Sequence, residues 1–149
     1  MRLILDTCVL FPVATREILL NYARVGGFDP VWSTRILEEW ERAAEAKLSS
    51  EDAIRAKGEI ALLNAWFPQA IVAGWEALVD ESELPDPSDA HVVAAAHAAH
   101  ADGIVTFNIR DFPKNILAPL GLSRLHPDEF LRNAWLADAQ RLKAAMTPL

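Results

Sequence analysis

The chain has 149 residues, of which 52% are hydrophobic and 23% are charged, a composition typical of a globular protein. No run of about 18 apolar residues occurs, so no membrane-spanning helix is expected. The formal net charge of −7 argues against a broad basic face for nucleic acid. Cys8 is the single cysteine, which excludes an intrachain disulfide and a cysteine-based zinc cluster. We expect one domain over residues 1–149 in a reducing, cytoplasmic setting.

The first half of the chain begins with "RLIL", a continuous apolar run that predicts a strand buried on both faces. A helix is predicted over residues 12–27, with Pro12 near its start and two glycines at its end. A short strand over 29–33 precedes a helix over 34–48, capped by Ser33 or Thr34 and carrying one apolar stripe. A further helix follows over 49–67.

The second half begins with a weak strand over residues 70–75 and a loop, "LPDPSD", that leads into an Ala-rich helix over 88–101. "GIVTFN", residues 103–108, is the second buried strand. A short strand over 122–125 and a helix over 126–146 close the chain. Because strands and helices alternate, the sequence predicts an α/β fold of three layers, with helices on both faces of a central parallel sheet.

Acidic and amide side chains fall where active sites lie in such folds, beyond the carboxyl ends of the strands. Four regions distant in sequence supply them. They are Asp6 after the first strand, Glu38 and Glu39 in the helix over 34–48, Asp89 at the start of the Ala-rich helix, and Asn108 with Asp111 after the second buried strand.

Several carboxylates held close together repel one another unless a cation neutralises them. Mg²⁺ and Mn²⁺ prefer oxygen ligands, and either ion can link an acidic protein to a phosphate substrate. This chemistry is that of phosphodiester hydrolysis. Each acid also has an ordinary explanation: Asp6 and Asp89 as helix or strand-end caps, Asp111 as a turn residue, and Glu38 or Glu39 as a solvated helix acid.

Four segments resemble those of a PIN domain, most closely the bacterial kind that includes the VapC-type toxins. They are "LILDTCVL", "STRILEEWERA", "PDPSDAHVVAAAHAAHADGIVTFNIRDF" and "LHPDEFL", in the expected order over nearly the whole chain. The resemblance implies a metal-dependent nuclease, usually a ribonuclease, with three or four clustered acids around Mg²⁺ or Mn²⁺.

Matched motif by motif, the resemblance implies that Asp6, Asp89 and Asp111 hold the metal, while Glu39 completes the acid cluster or orients the attacking water. Glu38 is the alternative to Glu39. Many relatives carry an aspartate where this chain has Asn108, so either Asn108 or Asp111 completes the site. The remaining polar candidates, near the metal ligands or the substrate, are Thr7, Thr106, Asn108 and Arg110, with Asp86 at the rim.

The resemblance implies single-stranded RNA as substrate, a homodimer, and, for a toxin, an antitoxin bound in a groove between the early helices. The basic candidates for RNA contact are Arg16, Arg35, Arg42, Arg110 and Lys114. No histidine is required as general base, although His91, close to Asp89, is a candidate for contacting the substrate.

The main alternative is a catalytically weak or inactive PIN-like module that binds RNA or a protein, which Asn108 favours. A response-regulator-like domain is disfavoured because the late strand lacks a lysine. A structure-specific DNA nuclease is disfavoured because the chain lacks large insertions.

Overall fold

The computed structural model describes residues 1–81 and 84–146, and the predicted domain over 1–149 therefore includes a few positions outside the described residues. Its centre is a four-stranded sheet with the order β2-β1-β3-β4. The strands are β1 (Arg2–Leu5), β2 (Asp29–Val31), β3 (Gly103–Val105) and β4 (Ser123–Leu125). All three pairings are parallel, as predicted.

Seven α-helices connect or flank these strands within the described ranges. They are α1 (Thr7–Leu10), α2 (Val13–Arg24), α3 (Thr34–Lys47), α4 (Ser50–Trp66), α5 (Ala90–Ala98), α6 (Lys114–Leu117) and α7 (Pro127–Met146), the last with a kink at Asp138. Helices α2 and α7 pack together, whereas α5 packs on β1 and β3. The crossover from β1 to β2 and the crossover from β2 to β3 are right-handed and run in opposite directions along the sheet. Helices α2 and α7 therefore lie on one face of the sheet, and α5 lies on the opposite face. The predicted three-layer α/β/α architecture is confirmed.

Local signals explain most helix boundaries. The Ser33 side chain accepts a hydrogen bond from the backbone N–H of Ile36, and Ser49 does the same for Asp52, so both serines cap the helices that follow them. Helix α2 ends two residues before Gly26, whose φ of +88° is a left-handed conformation that glycine adopts at low cost.

Several features of the chain differ from the sequence predictions, among them the unpredicted short helix α6 and strand β3, which ends at Val105 and not at residue 108. The predicted strand over residues 70–75 is wrong: Ile71 forms one isolated bridge with Trp32, and Gly74, at φ +78°, then turns the chain away. Helix α1 was not predicted; it begins directly after β1, where the Asp6 side chain accepts the backbone N–H of Thr7.

The core lies where the strands meet the helices. Leu3, Ile4 and Leu5 of β1 are fully buried, as the continuous apolar run predicts for the interior strand of a parallel sheet. Within the described residues, no helix is both long enough and apolar enough to cross a membrane.

Candidate active site

The candidate site lies at the carboxyl edge of the sheet, between β1 and β3. The chain leaves β1 towards β2 on one side and later returns to add β3 on the other side. This reversal opens a crevice beyond the strand ends, the usual ligand position in open α/β sheets. Asp6 follows β1 and Thr106 follows β3, so the topology alone brings them together.

Asp6 is held by a dense set of hydrogen bonds. Its Oδ1 accepts the backbone N–H of Thr7 at 2.8 Å, and its Oδ2 accepts the hydroxyl of Thr106 at 2.9 Å. The Cys8 thiol lies 3.4 Å from the same Oδ2. Burial nevertheless raises the pKa of Asp6, and the negative charge of Glu39 adds to the effect. Asp6 is therefore a fixed carboxyl group whose ionised form calls for a nearby positive charge.

Glu38 and Glu39 have different surroundings although they are neighbours on α3. The Glu38 carboxylate is exposed and pairs with Arg42 one turn later, at 3.7 Å. Glu39 is half-buried: its Oε1 lies 3.2 Å from the Thr7 hydroxyl and its Oε2 lies 3.1 Å from His91 Nε2. Burial acts to raise the pKa of Glu39, but the contacts with His91 and Thr7 lower it overall. Glu39 faces the crevice, and Glu38 faces solvent.

Asp89 lies across the crevice, at the start of α5. Burial, and after it the negative charges of Asp6, Asp86 and Asp111, together raise its pKa to about 7. Its side chain makes no capping hydrogen bond, so the ordinary explanation of Asp89 as a cap does not apply. Asp86, which is exposed, instead caps the preceding 3₁₀ turn Pro87–Asp89 by accepting the Ser88 backbone N–H at 3.0 Å.

The region after β3 brings the remaining predicted polar residues to the same edge. Thr106 is fully buried, and its hydroxyl also accepts the Asn108 backbone N–H at 3.0 Å. The Asn108 side chain itself is exposed. Asp111 ends a single 3₁₀ turn, Ile109–Asp111, and is close enough to Asp89 to affect its pKa. Arg110, within that turn, is exposed.

Two predictions about substrate contact are wrong. Arg16 is 7% exposed and donates to the backbone carbonyls of Leu10 and Phe11, so it holds α1 against α2 and cannot meet RNA. His91 is 2% exposed and contacts Glu39, which leaves it no access to a substrate.

The sequence interpretation also missed two partners of the acids, Cys8 and His91. A signal for His91 was present, because a polar ring in an otherwise apolar, Ala-rich helix needs a buried partner. The sequence pattern does not identify which residue is the partner of His91. Burial, followed by the charge of Asp6, raises the pKa of Cys8 to about 11, so the thiol is protonated and is not a nucleophile at neutral pH.

The donor set fits a hard divalent cation. Carboxylates stand after β1, at the start of α5 and in the turn after β3, and the charges of Asp6 and Asp111 add to the burial that raises the pKa of Asp89. In residues 1–81 and 84–146, no three His, Cys, Asp or Glu side chains form a ready-made metal site. Carboxylate oxygens are nevertheless the ligands that a hard ion such as Mg²⁺ prefers, usually one or two together with several waters.

Comparison with known proteins gives the same family as the sequence motifs. A curated protein of Mycobacterium tuberculosis (strain ATCC 25618 / H37Rv), named "Putative ribonuclease VapC50", is 49% identical to this chain over 43 residues. That segment is 29% of this chain and spans only a quarter of the length of the relative. No solved structure is significantly similar to the chain. The family described as PIN domain matches residues 2–110, a range that includes Asp6, Glu39 and Asp89 and ends one residue before Asp111, and the chain belongs to this family.

Proposed function

We propose that the chain is a metal-dependent endoribonuclease that cleaves phosphodiester bonds of single-stranded RNA. The observation that carries the proposal is the placement of Asp6, Asp89 and Asp111 at one sheet edge, where burial and then the neighbouring negative charges raise the pKa of Asp89 to about 7. A bound cation would offset both the burial of these carboxylates and their mutual repulsion. The family and the name of the partial relative support the same activity.

In this proposal, Asp6, Asp89 and Asp111 hold Mg²⁺ or Mn²⁺, directly or through water. The bound ion supplies positive charge for the phosphate and makes a coordinated water more acidic. Glu39 accepts a hydrogen bond from the attacking water and so orients it. Thr7 and Thr106 keep the carboxylates of Glu39 and Asp6 in place through their hydroxyls.

Substrate contact falls to exposed groups at the rim of the crevice, Asn108 and Arg110, which can bind the sugar and the phosphate of the RNA. With a net charge of −7, the protein has little general attraction for RNA, so these local groups and the metal must supply it. We further propose a single PIN domain, in a cytoplasmic homodimer, that acts as the toxin of a toxin–antitoxin pair.

Cleavage of a labelled single-stranded RNA tests the activity. The wild-type protein should cut with Mg²⁺ or Mn²⁺ and stop with EDTA. Asp6→Asn should abolish cutting and keep the fold, because the amide oxygen still accepts the Thr7 N–H and the amide nitrogen still faces the Thr106 hydroxyl. Glu38→Gln is the matched control and should cut like wild type. Equal activity of Asp6→Asn and wild type would refute the assignment.

An alternative function is a catalytically weak module that binds RNA or a protein. It is favoured by the exposed Asn108, at a position where an acid is common in relatives, and by the lack of a ready-made three-ligand site among the described residues. Isothermal titration with Mn²⁺ separates the two functions. Binding that is lost in Asp89→Asn supports the nuclease, and weak binding unchanged in that variant supports the alternative.

A further inference from the structure

A buried histidine lies behind Glu39. His91 is on α5 and is 2% exposed, and its Nε2 is 3.1 Å from Glu39 Oε2. Because an ionised carboxylate can only accept hydrogen bonds, Nε2 must carry the proton in this contact. The other ring nitrogen, Nδ1, is buried with no hydrogen-bond partner among the described residues. Among the described residues, Glu39 is therefore the one hydrogen-bond partner of the imidazole.

Glu39 is held from two sides. Its Oε1 lies 3.2 Å from the Thr7 hydroxyl, which belongs to α1, and its Oε2 lies 3.1 Å from His91 of α5. The two contacts use different oxygens, but the single Thr7 hydroxyl proton also faces the Ile36 carbonyl oxygen at 3.1 Å, so the His91 N–H is the undivided donor to the carboxylate. Each oxygen retains a second lone pair, which leaves Glu39 able to accept a hydrogen bond from a water in the crevice.

The imidazole is itself held in place. Residues Ala90–Ala96 of α5 are all buried, so the helix backbone that carries His91 lies in the packed interior. The Trp75 ring packs near the imidazole, with 6.1 Å between ring centroids and 54° between planes. A rigid donor of this kind holds an acid more accurately than a flexible chain or a water can.

We propose that His91 is a positioning residue, which holds the Glu39 carboxylate in the orientation that the reaction requires. The inference rests on the proposed nuclease function. Without the His91 N–H, Glu39 keeps only its contact with the Thr7 hydroxyl, and its carboxylate can rotate. Partners of this type, one step behind the reacting groups, commonly change activity by about 10- to 100-fold.

Two variants of His91 separate positioning from packing. His91→Phe keeps a ring but lacks the donor, whereas His91→Gln carries an amide N–H at nearly the place of Nε2. We expect kcat for RNA cleavage to fall about 10- to 100-fold in His91→Phe, with KM changed less than about twofold, and to be largely restored in His91→Gln. His97→Gln, an exposed histidine of the same helix, is the matched control and should act like wild type.

A second readout needs neither metal nor RNA. In the ¹⁵N-labelled, metal-free protein, the imidazole of His91 should show a protonated Nε2 whose resonance shifts in Glu39→Gln and not in Glu38→Gln. Wild-type kcat in His91→Phe, no recovery in His91→Gln, or an unprotonated Nε2 would each overturn the proposal. If the wild-type protein cleaves no RNA, the nuclease function fails, while the resonance still decides whether His91 holds Glu39.

Discussion

The burial of Asp89, together with the negative charges around it, makes the metal-free protein less stable at high pH. The pKa of Asp89 lies at about 7 against an ordinary value of 3.8, so the folded protein binds this proton more tightly than the unfolded chain does. The free energy of unfolding must therefore fall as the pH rises from about 4 to about 7, and stay low above that range. Asp89→Asn removes the charge and should abolish this loss.

The size of the effect follows from the displacement of the pKa. At about 1.36 kcal/mol per pKa unit, a change from 3.8 to about 7 corresponds to at most about 4 kcal/mol. Asp89 is only half-buried, and water screens its interactions, so we expect about 1 to 2 kcal/mol. For a chain of this length, that is about 2 to 8 °C in the melting temperature at pH 8. The variant loses no capping hydrogen bond, since Asp89 makes none.

Thermal and urea unfolding in EDTA at pH 5 and pH 8 measure the effect. Asp89→Asn should be more stable than wild type at pH 8, with a smaller difference at pH 5. Asp29→Asn, an exposed aspartate at the opposite end of the sheet, is the control and should follow wild type at both pH values. Mg²⁺ should stabilise wild type more than Asp89→Asn. A wild-type protein as stable at pH 8 as at pH 5 would refute the reasoning.

Three further changes should have defined effects. Thr106→Val keeps the shape but removes the donor to the buried Asp6, and should lower the free energy of unfolding in urea by about 1 to 3 kcal/mol; no change would contradict the assigned hydrogen bond. Because the pKa of Cys8 is about 11, alkylation by iodoacetamide at pH 8 should be at least about 100-fold slower in the folded than in the unfolded protein, and equal rates would show an accessible thiolate. Arg16→Gln should destabilise by about 1 to 3 kcal/mol because the buried carbonyl of Leu10 loses its donor, while RNA binding of the folded fraction stays unchanged; a selective loss of RNA binding would restore Arg16 as a contact.

The sequence was most informative where local pattern and global topology agree. The apolar runs of β1 and β3 predict interior parallel strands, and parallel strands end at one edge, so Asp6 and the segment of Thr106 had to meet there. Ser33 likewise caps α3 because its side chain needs only a backbone N–H three residues away.

Contacts between remote elements were less accessible to prediction. The apolar stripe of α3 does not separate Glu38 from Glu39, because both border it; the difference arises from His91, 52 residues further along. The sequence also allows Asp89 to cap α5, but its side chain makes no capping hydrogen bond, and Asp86 caps the preceding 3₁₀ turn. The strand expected over 70–75 had suitable residues, but Gly74 turns the chain after a single bridge.

The interior position of β1 has a consequence for synthesis on the ribosome. Asp6 emerges early, yet its hydrogen-bond partner Thr106 lies 100 residues further along the chain. At about 5 to 20 residues per second, the nascent polypeptide waits about 5 to 20 s before these two side chains can meet. During this interval the crevice does not exist, so the proposed nuclease cannot attack the messenger being translated until most of the protein has been made.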